Sequence, residues 1–235
     1  MNKTSLLATL AIVASAPLSQ AALISINLTN ADFQADLGQP NTVSTGWTSV
    51  AGSGTNSTPS NYFENGISGF SGDRLALLKS DGGNYIQQAL TTSEAGAVDA
   101  TTFGQYTVDF NFGYRRDGST NGDLNLRVAL WNITDGVELA GQTFTIVNPG
   151  VGANSFALTT ATLAYDNTQA SLLGDTIALR VMSMDADLGS VAWNRTGMVD
   201  DFSVNATAVP EPATYGLMGA GALASAAFVR RRKRA

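Results

Sequence analysis

The chain has 235 residues, 13 basic and 19 acidic, with neither cysteine nor histidine. That excludes disulfides, thiolate chemistry, the Ser-His-Asp triad, the usual zinc sites and the commonest general base. The formal charge of −6 hides a split: Lys3 and the five basic residues at 230–234 sit at the ends, and residues 22–208 keep seven basic against 18 acidic side chains, a net −11 that repels nucleic acid and anionic lipid.

Residues 1–21 carry one cation, Lys3, then an apolar run from Leu6 to Ala16, then Pro17-Leu18-Ser19-Gln20-Ala21. This is the layout of a secretory signal peptide, which implies passage through the Sec translocon and removal by signal peptidase. Ser19-Gln20-Ala21 fits the small-x-small rule, so the cut is expected after Ala21, with Ala22 as the alternative. Residues 22–208 then make up one domain's worth of chain, enough to bury a sizeable core.

Ala22–Leu28 reads as a first strand, and Asn30-Ala31-Asp32-Phe33 turns away from it. Asp36–Asn61 is dense in Gly, Ser, Thr, Asn and Pro and reads as a long loop, with Gly46-Trp47 pinned within it. Trp47 is a core plug under that loop or a sugar-stacking platform. Arg74–Lys79 and Tyr85–Leu90 flank the turn Asp81-Gly82-Gly83-Asn84, which predicts a hairpin. Gln105–Tyr114 alternates with period two, placing Tyr106, Val108, Phe110, Phe112 and Tyr114 on one face. Arg115-Arg116 open a loop. Leu124–Trp131 alternates again, with Leu124, Leu126, Val128 and Leu130 inward. Asp135-Gly136 is a hairpin signal, followed by strands over Glu138–Val147 and Ser155–Tyr165.

Asp166–Gly174 reads as a connector with room for one helical turn. Thr176–Met182 is a strand with Ile177, Leu179 and Val181 on one face, and the polar loop after it holds Trp193. Met198–Asn205 is the last strand. In it Asp200 and Asp201 are expected to face opposite sides and so not to act as a pair. Eight or nine strands with turn chemistry between them predict an all-β antiparallel sandwich or jelly roll, with the first and last strands close together.

Residues 209–235 form a three-part tail. Val209-Pro210-Glu211-Pro212 is rigid and extended, because proline fixes φ and lacks an N–H. Residues 213–229 are uncharged, small and apolar. As a helix they would span about 25 Å, at the short end for a hydrocarbon core of about 30 Å. Residues 230–235 hold the basic block, which the positive-inside rule keeps cytoplasmic, leaving the body on the far side of the inner membrane. This order resembles the PEP-CTERM sorting signal of Gram-negative bacteria, with Pro210-Glu211-Pro212 as the named tripeptide. The resemblance implies an exosortase as partner, cleavage near the motif, and a body released or joined to the cell envelope or extracellular matrix.

The order of elements in the body resembles the galactose-binding-like sandwich of extracellular carbohydrate-binding modules. The matching pieces are Asn30–Phe33, Gly46-Trp47, Tyr85–Gln88, the strand into Gly113–Arg116, and Val199–Val204. The resemblance implies a structural calcium tying the early loop to the last strand. Asp32 and Asp201 fall on its positions, with Asp36 and Asp200 as neighbours; otherwise they are solvated turn aspartates. For ligand binding, aromatics and guanidiniums that can stack on and hydrogen-bond a sugar are Trp47, Tyr114, Arg115, Arg116, Trp131 and Trp193; their ordinary alternative is core or surface ion pair. These features point to a non-catalytic envelope or matrix protein that binds exopolysaccharide or another glycan. Two other classes fit: a glycosidase or lyase working through two carboxylates, which needs neither His nor Cys, and a structural or adhesive surface protein.

Overall fold

The protein is described from a computed structural model, over residues 23–36, 44–50, 60–63, 74–79, 83–92, 96–114, 123–147, 155–184 and 196–208. The signal peptide, the tail from Val209 on, Arg115, Arg116 and Trp193 lie outside these residues. Leu23–Ala208 is one compact unit.

Its strands are β1 (Leu23–Ile26), β2 (Thr48–Val50), β3 (Ser60–Phe63), β4 (Arg74–Lys79), β5 (Tyr85–Ala89), β6 (Thr91–Thr92), β7 (Gly96–Ala97), β8 (Phe103–Tyr114), β9 (Leu124–Asn132), β10 (Val137–Ile146), β11 (Ser155–Ala164), β12 (Ile177–Ser183) and β13 (Thr196–Ala208). One sheet runs β11-β8-β13-β4-β3, with β1 also paired to β13; the other runs β10-β9-β12-β5-β2; β6 and β7 make a small ribbon. Every pairing is antiparallel. The only helical pieces among the described residues are 3₁₀ turns at Gln34–Asp36 and Ala170–Leu172. The protein is thus the all-β antiparallel sandwich that the strand pattern predicts.

Alternation builds the core. Tyr106, Val108, Phe110 and Phe112 from β8 face Leu124, Leu126, Val128 and Leu130 from β9, with Ile177, Leu179 and Val181 from β12 and Val199, Phe202 and Val204 from β13. Phe110 stacks on Phe202 at 5.5 Å between ring centres and meets Phe144 edge-on at 5.5 Å. Burying one such side chain contributes roughly 1.5–3 kcal/mol, so the two facing rows dominate the favourable side of folding. The β9–β10 hairpin forms at Asp135-Gly136, where Gly136 takes φ 71°.

Three expectations need correction. First, β4 and β5 do not form a hairpin: β4 pairs with β3 and β13, and β5 with β2 and β12, in opposite sheets. A Gly-rich turn reverses a chain as well between sheets as within one, so local chemistry leaves the two alternatives equal, although Leu75–Leu78 of β4 are buried on both faces and β5 on one. Second, the long loop over 36–61 contains β2 and the first residues of β3. Three and four residues are too few for alternation to register. Third, Asp200 and Asp201 do not simply alternate. Asp200 is registered with Asn111, but the next registered residue on β13 is Ser203, with Asp109, and Asp201 takes φ 53°. One extra residue makes a β-bulge, which re-aims side chains and cancels the period-two argument.

Candidate cation site and ligand face

The bulge lies where the chain's first loop meets its last strand. Phe202 N donates to Ala31 O at 3.0 Å, which brings Asp32 beside residues 200–202. Phe33, at φ 54°, is fully buried and packs on Trp47 and Phe202. The Trp47 indole N–H donates to Asn30 O at 3.1 Å. Gln88 of β5 fastens this loop from below: its Oε1 accepts from Thr29 N, and its Nε2 donates to Thr29 O and Gly46 O. Gly46 has φ +83°, and a Cβ there would come within 2.9 Å of the Thr29 side chain and Gln88 Nε2. Gly46→Ala is therefore expected to destabilise the fold by about 1–3 kcal/mol, from backbone strain and a clash together. Urea unfolding of the purified variant measures it, and an unchanged midpoint refutes it.

Two aspartates of β13 differ sharply. Asp201 accepts from Asn111 Nδ2 at 2.8 Å. Asp200 is 1% exposed, and both its carboxylate oxygens are buried without a hydrogen-bond partner. Burial, followed by the charges of Asp201 and Asp32, pushes its carboxyl up to about 8; the Asp201 amide, close but not in bonding geometry, offsets only part of this. An orphaned buried carboxylate is costly unless it takes a proton or a cation. The oxygens to be satisfied thus belong to Asp200, and Asp201 is already engaged. Among the described residues no three His, Cys, Asp or Glu side chains gather at metal-ligand spacing. Calcium takes about six to eight oxygen ligands, backbone carbonyls included, so carbonyls or water would have to supply all but those of two aspartates here. Asp200 and Asp32 would hold it.

The second feature is on the outer face of the five-stranded sheet. Inward residues of β9 alternate with Asn125, Arg127, Ala129 and Trp131, and on β12 the outward positions are Ala178, Arg180 and Met182. Register places Arg180 opposite Gln87 on one side and Ala129 on the other. Arg180 Nε and Nη2 donate to Gln87 Oε1 at 3.0 and 2.7 Å. Its Cζ lies 4.0 Å from the Tyr85 ring centre and 3.5 Å from that of Trp131, rings carried by the two flanking strands. Arg180 is only 8% exposed, and burial lowers its pKa. Arg127, on the same face, is fully served. It forks onto both oxygens of Glu138, donates to Thr143 Oγ1 at 2.9 Å, and its pKa is raised by Glu138. Gly141 makes room for this pair, because a Cβ there would meet Arg127 and Glu138 at 2.7 Å.

Of the residues singled out from sequence, Trp131 is on this face. Trp47 is not: at 5% exposure, packed between Phe33 and Phe202, it has no face for a sugar and is a core plug. Tyr114 closes β8, paired with Ser155 and Gly197. Ala21 and Ala22, Val209, Pro210, Glu211 and Pro212 lie outside the described residues, as do Arg115, Arg116 and Trp193. Asp36 lies in the 3₁₀ turn after Asp32. Tyr85 and Gln87 entered only as part of the Tyr85–Gln88 resemblance, and none of Tyr85, Gln87 and Arg180 was singled out as a ligand-binding candidate from sequence. Their one signal was a lone arginine inside the apolar run Ile177–Met182, on the strand's polar parity.

No curated protein sequence matches the chain. In fold it is similar to a cyclase from Fischerella sp. TAU, at 14% identity and a TM-score of 0.51, over 81% of this chain and 100% of that one. It is also similar to part of an arabinose-bound GH51 α-L-arabinofuranosidase, at 15% identity and a TM-score of 0.50, over 78% of this chain and only 27% of that enzyme. The xylan-binding CBM22-1 domain of Paenibacillus barcinonensis Xyn10C aligns at 12% identity and a TM-score of 0.45, over 81% and 98%. Such likenesses concern the fold. The family model for the PEP-CTERM protein-sorting motif matches residues 208–233. The chain therefore carries, behind an antiparallel β-sandwich, a PEP-CTERM protein-sorting motif, the mark of an exosortase substrate sent to the cell envelope or surface.

Proposed function

We propose that this is a non-catalytic protein of the envelope or extracellular matrix that binds carbohydrate on the outer face of its five-stranded sheet. It leaves the cytoplasm through the Sec translocon, loses residues 1–21 to signal peptidase, holds briefly to the inner membrane through residues 213–229, and is cut by the exosortase near Pro210-Glu211-Pro212. Calcium, held by Asp200 and Asp32 with backbone carbonyls, ties the loop at 29–36 to β13 and has no part in chemistry.

The observation that carries the sugar reading is the pair of half-buried rings, Tyr85 and Trp131, on a sheet face that also carries the Gln87 amide, the guanidiniums of Arg127 and Arg180 and the Thr143 hydroxyl beside Ala129, Ala178, Met182 and Glu138. Apolar sugar faces pack on aromatic rings, and sugar hydroxyls need the polar groups around them. A carboxylate-driven glycosidase finds less support. Retaining or inverting chemistry needs two available carboxyls roughly 5–10 Å apart across a cleft. Asp200 is sealed from solvent, and Glu138 is occupied by Arg127.

A glycan array and a pull-down with native exopolysaccharide test the reading. The full-length chain is expected to bind without turnover, and Trp131→Ala to weaken binding about tenfold or more, as loss of one stacking ring of roughly 1–3 kcal/mol implies. Blank results in both assays remove the sugar-binding role.

A further inference from the structure

We propose that the Tyr85–Arg180–Trp131 stack selects a carboxylate-bearing sugar, so that the ligand is an acidic polysaccharide rather than a neutral one. The inference rests on the sugar-binding reading above and names the class of sugar.

The argument starts from what Arg180 lacks. A guanidinium offers five N–H donors and a full charge that cannot be removed by deprotonation. In Arg180 the only hydrogen-bond acceptor among the described residues is one neutral oxygen, Gln87 Oε1. Two aromatic rings flank it. Cation–π contact partly replaces lost water, but among the described residues no carboxylate hydrogen-bonds the guanidinium, and Glu138 acts on it only through its charge. Arg127 provides the internal comparison. It sits on the same face of the adjacent strand, less buried, and has a forked carboxylate partner in Glu138. Among the described residues the more buried of the two arginines is thus the one with no carboxylate at salt-bridge distance, and it shares in the charge of Glu138 only from further off. Arg180 Nη1 has no protein acceptor among the described residues, yet it is not among the polar atoms sealed from solvent. It therefore keeps some contact with solvent, although Arg180 as a whole is only 8% exposed.

A neutral sugar laid over the rings would desolvate this guanidinium further and return only neutral hydrogen bonds. A uronate, or a sugar bearing a pyruvate ketal, brings a carboxylate to Nη1 while its ring contacts Tyr85 or Trp131. Charge-assisted bonds are roughly twice as strong as neutral ones and strengthen where water is excluded. The net −11 of residues 22–208 opposes any polyanion at long range. That opposition acts over distances beyond the Debye length of about 8 Å at physiological ionic strength and is screened by salt, whereas the buried contact is screened much less. Specific binding of an acidic glycan here should therefore hold or strengthen as salt rises from about 20 to about 200 mM, opposite to a polyanion gathered by surface cations.

The test uses the full-length chain purified in detergent. Affinities are measured for the native exopolysaccharide, and for galacturonate, glucuronate and mannuronate oligomers, each before and after chemical reduction of the carboxyls to alcohols. At least one acidic ligand is expected to bind about tenfold or more tighter than its reduced form, with salt leaving that preference in place. Arg180→Gln should erase the preference. Gln87→Glu should erase it too, by giving Arg180 an internal carboxylate; it guards against misfolding of the arginine variant, because it adds a partner and removes no packing. Equal affinity for acidic and reduced forms overturns the inference while leaving sugar binding intact. So does a preference that survives both substitutions, or one that collapses with salt. Failure to bind either form removes the sugar-binding reading itself.

Discussion

Calcium-free protein is expected to lose stability as pH rises from about 4 to about 8, and calcium is expected to abolish the loss. The carboxyl of Asp200 is pushed up to about 8 by burial, with Asp201 and Asp32 adding to the rise. In the unfolded chain an aspartate titrates near 3.9. The folded state therefore holds a proton that the unfolded state has released throughout that interval. A raised folded pKa gives stability that is complete below the unfolded value and drains away up to the folded one. At about 1.4 kcal/mol per unit the loss is on the order of 5 kcal/mol, a large share of a typical 5–15 kcal/mol. In a domain of this size it corresponds to a fall of roughly 10–20 °C in Tm.

On the proposed reading, calcium would compete with that proton for the same two oxygens. Its binding near pH 7 should release about one proton, and the loaded protein should show no fall in Tm between pH 4 and 8 beyond weakened binding at the acid end. Asp200→Asn separates the causes. The carboxamide never charges, so the calcium-free variant should be more stable than the parent at pH 8 by the same order of magnitude. It should also lose most of its response to calcium. Melting curves across pH in EDTA and in millimolar calcium, with calorimetry in two buffers of different ionisation enthalpy, read all of this. A flat EDTA profile would show that Asp200 is compensated after all. A sloping profile that calcium leaves untouched would mean a protonated acid and no cation site.

How much of this was written in the chain depends on the range of each interaction. The two longest alternating runs, at β8 and β9, bury one face along their whole length, and they reveal both the strands and the inward residues. Leu124, Leu126, Val128 and Leu130 are buried as the period demands, and Trp131 points the other way. β2 was invisible because it is three residues long and owes its pairing to β5. The placing of β4 and β5 in different sheets depends on partners about 90 to 120 residues away, on β12 and β13, and the turn between them carries no trace of that. The positive φ of Asp201 likewise goes with the bulge where β13 pairs with β8, so alternation could not say which way Asp200 and Asp201 point. Arg180 shows the opposite failing. Its position was legible as the polar parity of a strand, but its meaning needed Tyr85 and Trp131, which come from two other strands.

The other large effect concerns the tail. Replacing Pro210-Glu211-Pro212 with three alanines should change the fate of the whole molecule while leaving the sandwich untouched, because β13 ends at Ala208. The sorting motif spans residues 208–233 and includes the tripeptide. Because proline fixes φ and lacks an N–H, the motif's two prolines are expected to keep the segment after the last strand extended, and an extended chain is the form in which a backbone is most open to enzymatic attack. Alanines would let the apolar run extend backward as a helix, since alanine is the best helix former, and would bury the scissile region against the membrane. The parent is expected to appear in the outer envelope or medium with its C-terminus near the motif, by mass spectrometry of the native protein. The alanine variant should stay in the inner membrane with residues 213–235 attached, an all-or-none difference in location. Charge decides the orientation of that retained form: Arg230-Arg231-Arg232-Lys233-Arg234 hold the end in the cytoplasm, at about 1 kcal/mol each toward an anionic leaflet. Protease added from the periplasmic side should then digest the sandwich and spare the basic end. Recovery of the parent with residues 230–235 still in place in its final compartment would sink the processing step, whatever the sandwich binds.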